Sequence, residues 1–188
     1  DWAYVEFPVS KGYHTYKWSY YKDASGNKGD DTYYVDNITF CKIIEPEGDV
    51  WIKYDNDEYV TSIGQDTKSP LYWGIKVPNT YMYLGNSITK VALYDNDSAT
   101  YTANIYIGGD NAPEKLVSTQ KFSTKGSKTM FEVELSTPVT IDPTQPLWIT
   151  MYCDELYYPA SACISQNNPN SDYISSDGKK WDHATEAN

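Results

Sequence analysis

The chain has no arginine. Its fifteen basic residues are all lysine, set against 26 Asp and Glu, for a formal net charge of −11 and a pI near 4.5. Phosphate and nucleic-acid recognition rely on arginine forks and basic patches. Nucleic acid and other anionic polymers are therefore excluded as partners. Neutral glycans, proteins and divalent cations remain, and the acidity also serves solubility by itself. Histidine is nearly as scarce, with His14 and His183 far apart in sequence. No G-x-S-x-G, H-E-x-x-H or P-loop occurs, and no local signature couples Cys153 to either histidine. The chain reads as non-catalytic.

Cysteine numbers three, Cys41, Cys153 and Cys163, and an odd count is not a disulfide framework. Cys153 and Cys163 flank DELYYPASA. They either pair across a hairpin or stay as two buried thiols. No apolar run is long enough to cross a membrane, and neither a signal peptide nor a lipidation motif is present. No membrane insertion is expected. The chain begins in strand-like sequence, as it would with a leader removed. No helical pattern of useful length occurs either.

What is abundant is tyrosine, with 19 residues, and tryptophan, with 6 among 188. These residues, with Val, Ile and Thr, favour strands, and the length suffices to bury a core without staples. The clearest stretch runs from Ser69 to Ile107. Leu71, Trp73, Ile75 and Val77 alternate with Tyr72, Gly74 and Lys76. Val91 and Leu93 follow the Gly85-Asn86 break. Tyr101, Ala103, Ile105 and Ile107 alternate with Thr102, Asn104 and Tyr106. A period of two puts each set on one face of a strand. Three such runs joined by short Gly/Asn/Asp loops predict an all-β fold, an antiparallel β-sandwich of jelly-roll or Ig-like type.

Further strands are expected on the same grounds. Val50, Ile52 and Tyr54 share one face, as do Phe131, Val133 and Leu135, with Glu132 and Glu134 facing out. Leu116–Phe122 reads as a strand. Leu147–Cys153 is apolar on both faces and reads as a central one. Asp177-Gly178, between Tyr173-Ile174 and Trp181, is a hairpin turn. Before residue 45 the pattern is weaker: Val5 and Phe7 end in Pro8, Tyr16, Trp18 and Tyr20 alternate, and Ile38 and Phe40 close a third strand. Three strands make a poor core alone. Glu45-Pro46-Glu47-Gly48 is the best linker, a charged run with two breakers. It divides the chain into 1–45 and a sandwich module at 46–188.

Two stretches carry a family resemblance. KGYHTYKWSYYKD at 11–23 with GDDTYYVDNITF at 29–40 resembles the closing strands of the jelly-roll modules called cleaved-adhesin domains, found in gingipain-type surface proteins, and of the related choice-of-anchor J domains. WGIKVPNTYMYLGNSITKVALYDND, ATYTANIYIGGDNAPEKLVSTQ, ELSTPVTIDPTQPLWI and YISSDGKKW resemble the β-sandwich module that often follows those jelly rolls in secreted, multidomain bacterial adhesins and proteases. The resemblance implies the end of one jelly roll at 1–45, then one sandwich, with the chain cut at both ends. It also implies a non-catalytic adhesion or target-binding part of an extracellular or cell-surface bacterial protein, with neighbouring modules of the same polypeptide as partners. The jelly-roll relatives commonly bind Ca²⁺, which singles out Asp30, Asp31 and Asp36.

The residues themselves offer three acidic clusters: Asp30-Asp31 with Asp36, Asp55-Asn56-Asp57-Glu58, and Asp95-Asn96-Asp97. Such loops supply the six to eight oxygens Ca²⁺ takes, yet none matches an EF-hand, and Asx turns at strand ends use the same residues. SSDGKKW resembles an Asp-box turn one residue short, and reads as a hairpin. Tyr81 and Tyr83 in NTYMYLGN and Tyr157 and Tyr158 in ELYYPAS are paired aromatics in loops. Exposed rings there stack on sugar faces, or else pack over the sandwich end. Trp51, Trp73 and Trp148 read as core. The expected ligand is a glycan or a host or matrix protein. The rival expectations are a structural spacer or assembly module of a surface filament, and an accessory module of a secreted protease or glycosidase.

Overall fold

The computed structural model describes residues 16–19, 35, 38, 50–56, 58–79, 87–163 and 168–184. Ten strands form, and no α-helix occurs among these residues: β1 Tyr59–Ile63, β2 Leu71–Val77, β3 Ser87–Tyr94, β4 Thr100–Ile107, β5 Lys115–Ser123, β6 Met130–Thr140, β7 Leu147–Cys153, β8 Ala160–Cys163, β9 Tyr173–Ser175 and β10 Asp182–His183. All pairings are antiparallel. One sheet has the order β10-β9-β2-β7-β4-β5; β3 pairs with β6, and β1 with β8.

The alternation read from the sequence decides which face is inward. Val77, Tyr101, Ala103, Ile105, Leu147, Met151 and Cys153 of the large sheet meet Val91, Leu93, Val133, Leu135 and Val139 of β3–β6 in one core. Each such fully buried apolar side chain contributes roughly 1.5–3 kcal/mol. Trp73, Tyr101, Phe122 and Phe131 form a chain of rings through it, with centroids 6.1, 5.9 and 6.0 Å apart. β7, apolar on both faces, lies between β2 and β4, as its composition predicts.

Several expectations are corrected. No strand forms at 50–54; β1 starts at Tyr59 instead. Ile52 still packs on the core, and the Tyr54 hydroxyl donates to the Lys76 carbonyl at 3.1 Å, so the segment is anchored by side chains without a ladder. Residues 16–19 carry no strand, and Tyr16 and Trp18 are exposed. Trp51, expected in the core, is exposed. Cys153 and Cys163 are free thiols, because β8 leaves the large sheet to pair with β1, while Cys153 stays opposite Leu71. β6 runs on past Leu135 to Thr140, through Pro138. The remaining strands expected before residue 45, and the linker itself, lie outside the described residues.

The outer face of the large sheet carries a second aromatic cluster. Trp148 is completely buried there, its ring 4.6 Å from Tyr173 and 6.1 Å from Trp181. Tyr72 meets Tyr152 at 4.6 Å and Trp181 at 6.3 Å. The β9–β10 hairpin supplies Tyr173 and Trp181, and the predicted Asp177-Gly178 turn closes it: the Asp177 carboxylate accepts from the backbone of Lys179 and Lys180 at 2.8 and 2.9 Å. Gly74 sits in the row between Tyr173 and Thr150. A Cβ there would stand 2.3 Å from the Ile149 carbonyl oxygen, so only glycine fits.

Candidate binding site

The connections β1–β2, β3–β4, β5–β6 and β7–β8 meet at the sandwich end where Leu71 faces Cys153. Tyr157 and Tyr158 lie in the last of them. Their rings stay open to solvent, at 50% and 44% exposure, although the backbone beneath is held firmly. Gln65 N–H donates to the Tyr157 carbonyl at 2.7 Å. A Cβ on Gly64 would come within 2.0 Å of that same oxygen; the close approach of the two connections requires glycine. The Tyr158 hydroxyl donates to Asp66 Oδ1 at 2.5 Å, and this bond, with the carboxylate's charge, raises the Tyr158 pKa. Lys68 Nζ stands 5.8 Å from the centre of the Tyr157 ring, within cation–π range. Asn96 Nδ2 donates to Ser62 Oγ at 2.6 Å and reaches the Tyr158 carbonyl at 3.5 Å.

Acidic groups surround the pair. Glu155 Oε2 accepts from Thr100 N–H at 2.9 Å. Asp154 Oδ2 accepts from the Tyr152 hydroxyl at 2.9 Å; burial and this bond push the Tyr152 pKa up to about 12. The result is two solvent-open rings flanked by an ammonium, carboxylates and a carboxamide, on loops tied down by backbone hydrogen bonds. Flat rings beside donors and acceptors suit a sugar face or a protein side chain.

Two of the three acidic clusters act in turns. Asp95 is buried and accepts from Gly126 N–H at 3.1 Å, Ser127 N–H at 2.7 Å and the Ser127 hydroxyl at 2.9 Å. Lys128 donates to the Asn96 carbonyl, to Asn96 Oδ1 at 2.9 Å and to Asp97 Oδ1 at 3.5 Å. The 95–97 run thus laces two connections together. In the second cluster, Glu58 N–H donates to Asn56 Oδ1 at 3.2 Å, an Asx turn. Among the described residues, no three His, Cys, Asp or Glu side chains gather as a metal group. Asp30, Asp31 and Asp36 lie outside the described residues, as do Tyr81, Tyr83 and His14. His183 Nδ1 is 2.8 Å from Asp172 Oδ1 and its ring is 4.4 Å from Tyr173; it belongs to the outer aromatic cluster. Asp66 and Lys68 escaped the sequence reading, which placed Asn96 only in an acidic cluster. The turn GQDTKSP held the signal for both of them, but nothing in it says that the β7–β8 connection folds back onto it.

No family model, curated protein or solved structure matches this chain.

Proposed function

We propose that this chain is a non-catalytic binding module of a larger extracellular bacterial surface or secreted protein, and that a neutral glycan or a host or matrix protein is bound at the sandwich end bearing Tyr157 and Tyr158. The observation that carries this reading is the exposure of both rings on a backbone that is itself pinned. An aromatic pair serving only to close the sandwich would be covered. The lack of arginine and the net charge of −11 restrict the ligand to neutral or cationic surfaces. The extracellular bacterial setting, and Ca²⁺ held by Asp30, Asp31 and Asp36, rest on the resemblance to cleaved-adhesin modules. Replacing both tyrosines by alanine tests the site: ligand binding should fall while the melting temperature stays put.

One observation favours the assembly reading as well. The strands β5 and β6 leave one side of the sandwich open among the described residues.

A further inference from the structure

On that open side, the β5 backbone is laddered only with β4 and the β6 backbone only with β3 among the described residues. The two strands are nine and eleven residues long, with register irregularities at Val117 and between Leu135 and Pro138, and an unpaired edge is a template for another strand. Leu116 and Val117 are exposed there, beside a groove lined by Ile107, Val117, Ser118, Pro138 and Val139. The Gln120 carboxamide reveals how the β6 edge points. Its Nε2 donates to the Glu134 carbonyl at 2.7 Å, and its Oε1 accepts from Ser136 N–H at 2.8 Å. A side chain is making the two bonds that a neighbouring strand would make, and it sets Gln120 level with Leu135.

We propose that a second copy of this chain docks on this side, related by a two-fold axis parallel to the strands, with β5 of each copy beside β6 of the other. The proposal is independent of the ligand reading at Tyr157 and Tyr158. β5 and β6 run antiparallel, and rotation about an axis along the strands preserves their directions, so β5 meets the second copy's β6 antiparallel. The same rotation exchanges the two layers, so outer faces continue into outer faces. Each sheet becomes continuous across the dimer, and the arrangement closes on itself.

Charge selects this pairing over the alternative. Lys121 alternates with the inward Phe122 and Gln120, and Glu134 with the inward Val133 and Leu135, so both lie on outer faces. With Gln120 level with Leu135, Lys121 falls beside Glu134 of the second copy, with Glu132 on the diagonal. Opposite charges across a strand pair are favourable, and like charges are not. Pairing β5 with its own copy would instead offer Lys121 no carboxylate, since β5 carries no Asp or Glu. The open side is about 30 Å tall, from nine residues at strand spacing, and two layers deep, the order of the roughly 800 Å² per partner of a stable interface. On docking, the second copy's β5 backbone replaces the Gln120 carboxamide on the Glu134 and Ser136 rung.

Sedimentation equilibrium of the full chain over a wide concentration range tests this. The expected result is a monomer–dimer equilibrium. Lys121→Glu should weaken it about tenfold or more by turning two symmetric attractions into repulsions, and the double variant Lys121→Glu/Glu134→Lys should restore it. Lys121 and Glu134 are both exposed; Lys121→Glu should melt as wild type does, while Glu134→Lys, opposite Lys90 in the β3–β6 ladder, should cost some stability, so the double variant is compared well below its own melt. A monomer at every concentration, a dimer indifferent to Lys121→Glu, or no restoration by the double variant overturns the proposal. Exchange protection, in a monomeric sample, of the β5 amides that do not bond to β4 would likewise overturn it, assigning the edge to another part of the chain.

Discussion

The Asp95 carboxylate is buried against Ser127, taking its backbone N–H at 2.7 Å and its hydroxyl at 2.9 Å. Burial pushes the Asp95 pKa up, but the donors from Ser127, Thr124 and Gly126 together pull it below the ordinary 3.8. A carboxylate whose folded pKa is depressed stabilises the fold above its unfolded pKa. That stability is lost as pH falls from about 3.8 through the lower folded value. Asp95→Ala should cost about 3 kcal/mol, since it leaves buried N–H groups unpaired at roughly 1–3 kcal/mol each. Urea unfolding at neutral pH measures the loss. Melts between mildly acid pH and pH 2 should show wild type losing its advantage over the variant; an unchanged gap would contradict the linkage.

Gly74→Ala should destabilise strongly. The added methyl meets backbone on both counts, the Ile149 carbonyl oxygen at 2.3 Å and Thr150 Cα at 2.8 Å, and neither can rotate away. A loss of about 1–3 kcal/mol or more is expected from overpacking, read as a lower urea midpoint with an unchanged slope. A variant as stable as wild type would mean that β2 and β7 separate more easily than their seven-residue pairing suggests.

Alkylation separates the thiols. Cys153 is buried in the core and burial raises its pKa, whereas Cys163 is only half-buried. Thiolate reactivity follows exposure and pKa. Native-state alkylation mapped by mass spectrometry should modify Cys163 well before Cys153, with both reacting in urea. A peptide pair linked through Cys153 and Cys163 would contradict the free thiols.

Much of the fold is legible in the sequence, because burial on one face imposes a period of two. The alternation in 71–77 and 101–107 survives intact, and the double apolarity of 147–153 marks a central strand. What alternation leaves out is partnership. Nothing in DELYYPASA says that β8 crosses to β1 and parts Cys163 from Cys153. Trp148 was readable as buried but not as buried on the outer face, since the covering residues, Tyr173 and Trp181, come from a hairpin 25 or more residues on. Val50, Ile52 and Tyr54 alternate as a strand does, yet no ladder forms there; Ile52 packs on the core and the Tyr54 hydroxyl bonds to the Lys76 carbonyl. At the site, exposure of Tyr157 and Tyr158 follows from their loop. The partners Asp66, Lys68 and Asn96 depend on two distant connections meeting, which local pattern cannot encode.

Calcium is tested by the chain's own stability. Clustered carboxylates at Asp30, Asp31 and Asp36 repel unless paired or bound. A cation that binds only the folded state raises the melting temperature by linkage. Chelation of Ca²⁺-loaded protein should lower the melting temperature, and Asp30→Asn/Asp31→Asn should abolish that difference. A melt indifferent to chelator would remove the site.

The central claim is that the Tyr157–Tyr158 end binds a ligand. The most direct measurement is binding of the wild-type chain and the Tyr157→Ala/Tyr158→Ala variant to an array of neutral glycans and immobilised matrix proteins. Base-stacking aside, an exposed aromatic ring on a ligand contributes on the order of 1 kcal/mol or more, so losing two should reduce affinity at least about tenfold. The account predicts selective binding by wild type that the double variant loses while melting at the same temperature. Binding retained by the double variant, or no binding by wild type to any glycan or matrix protein, would contradict it.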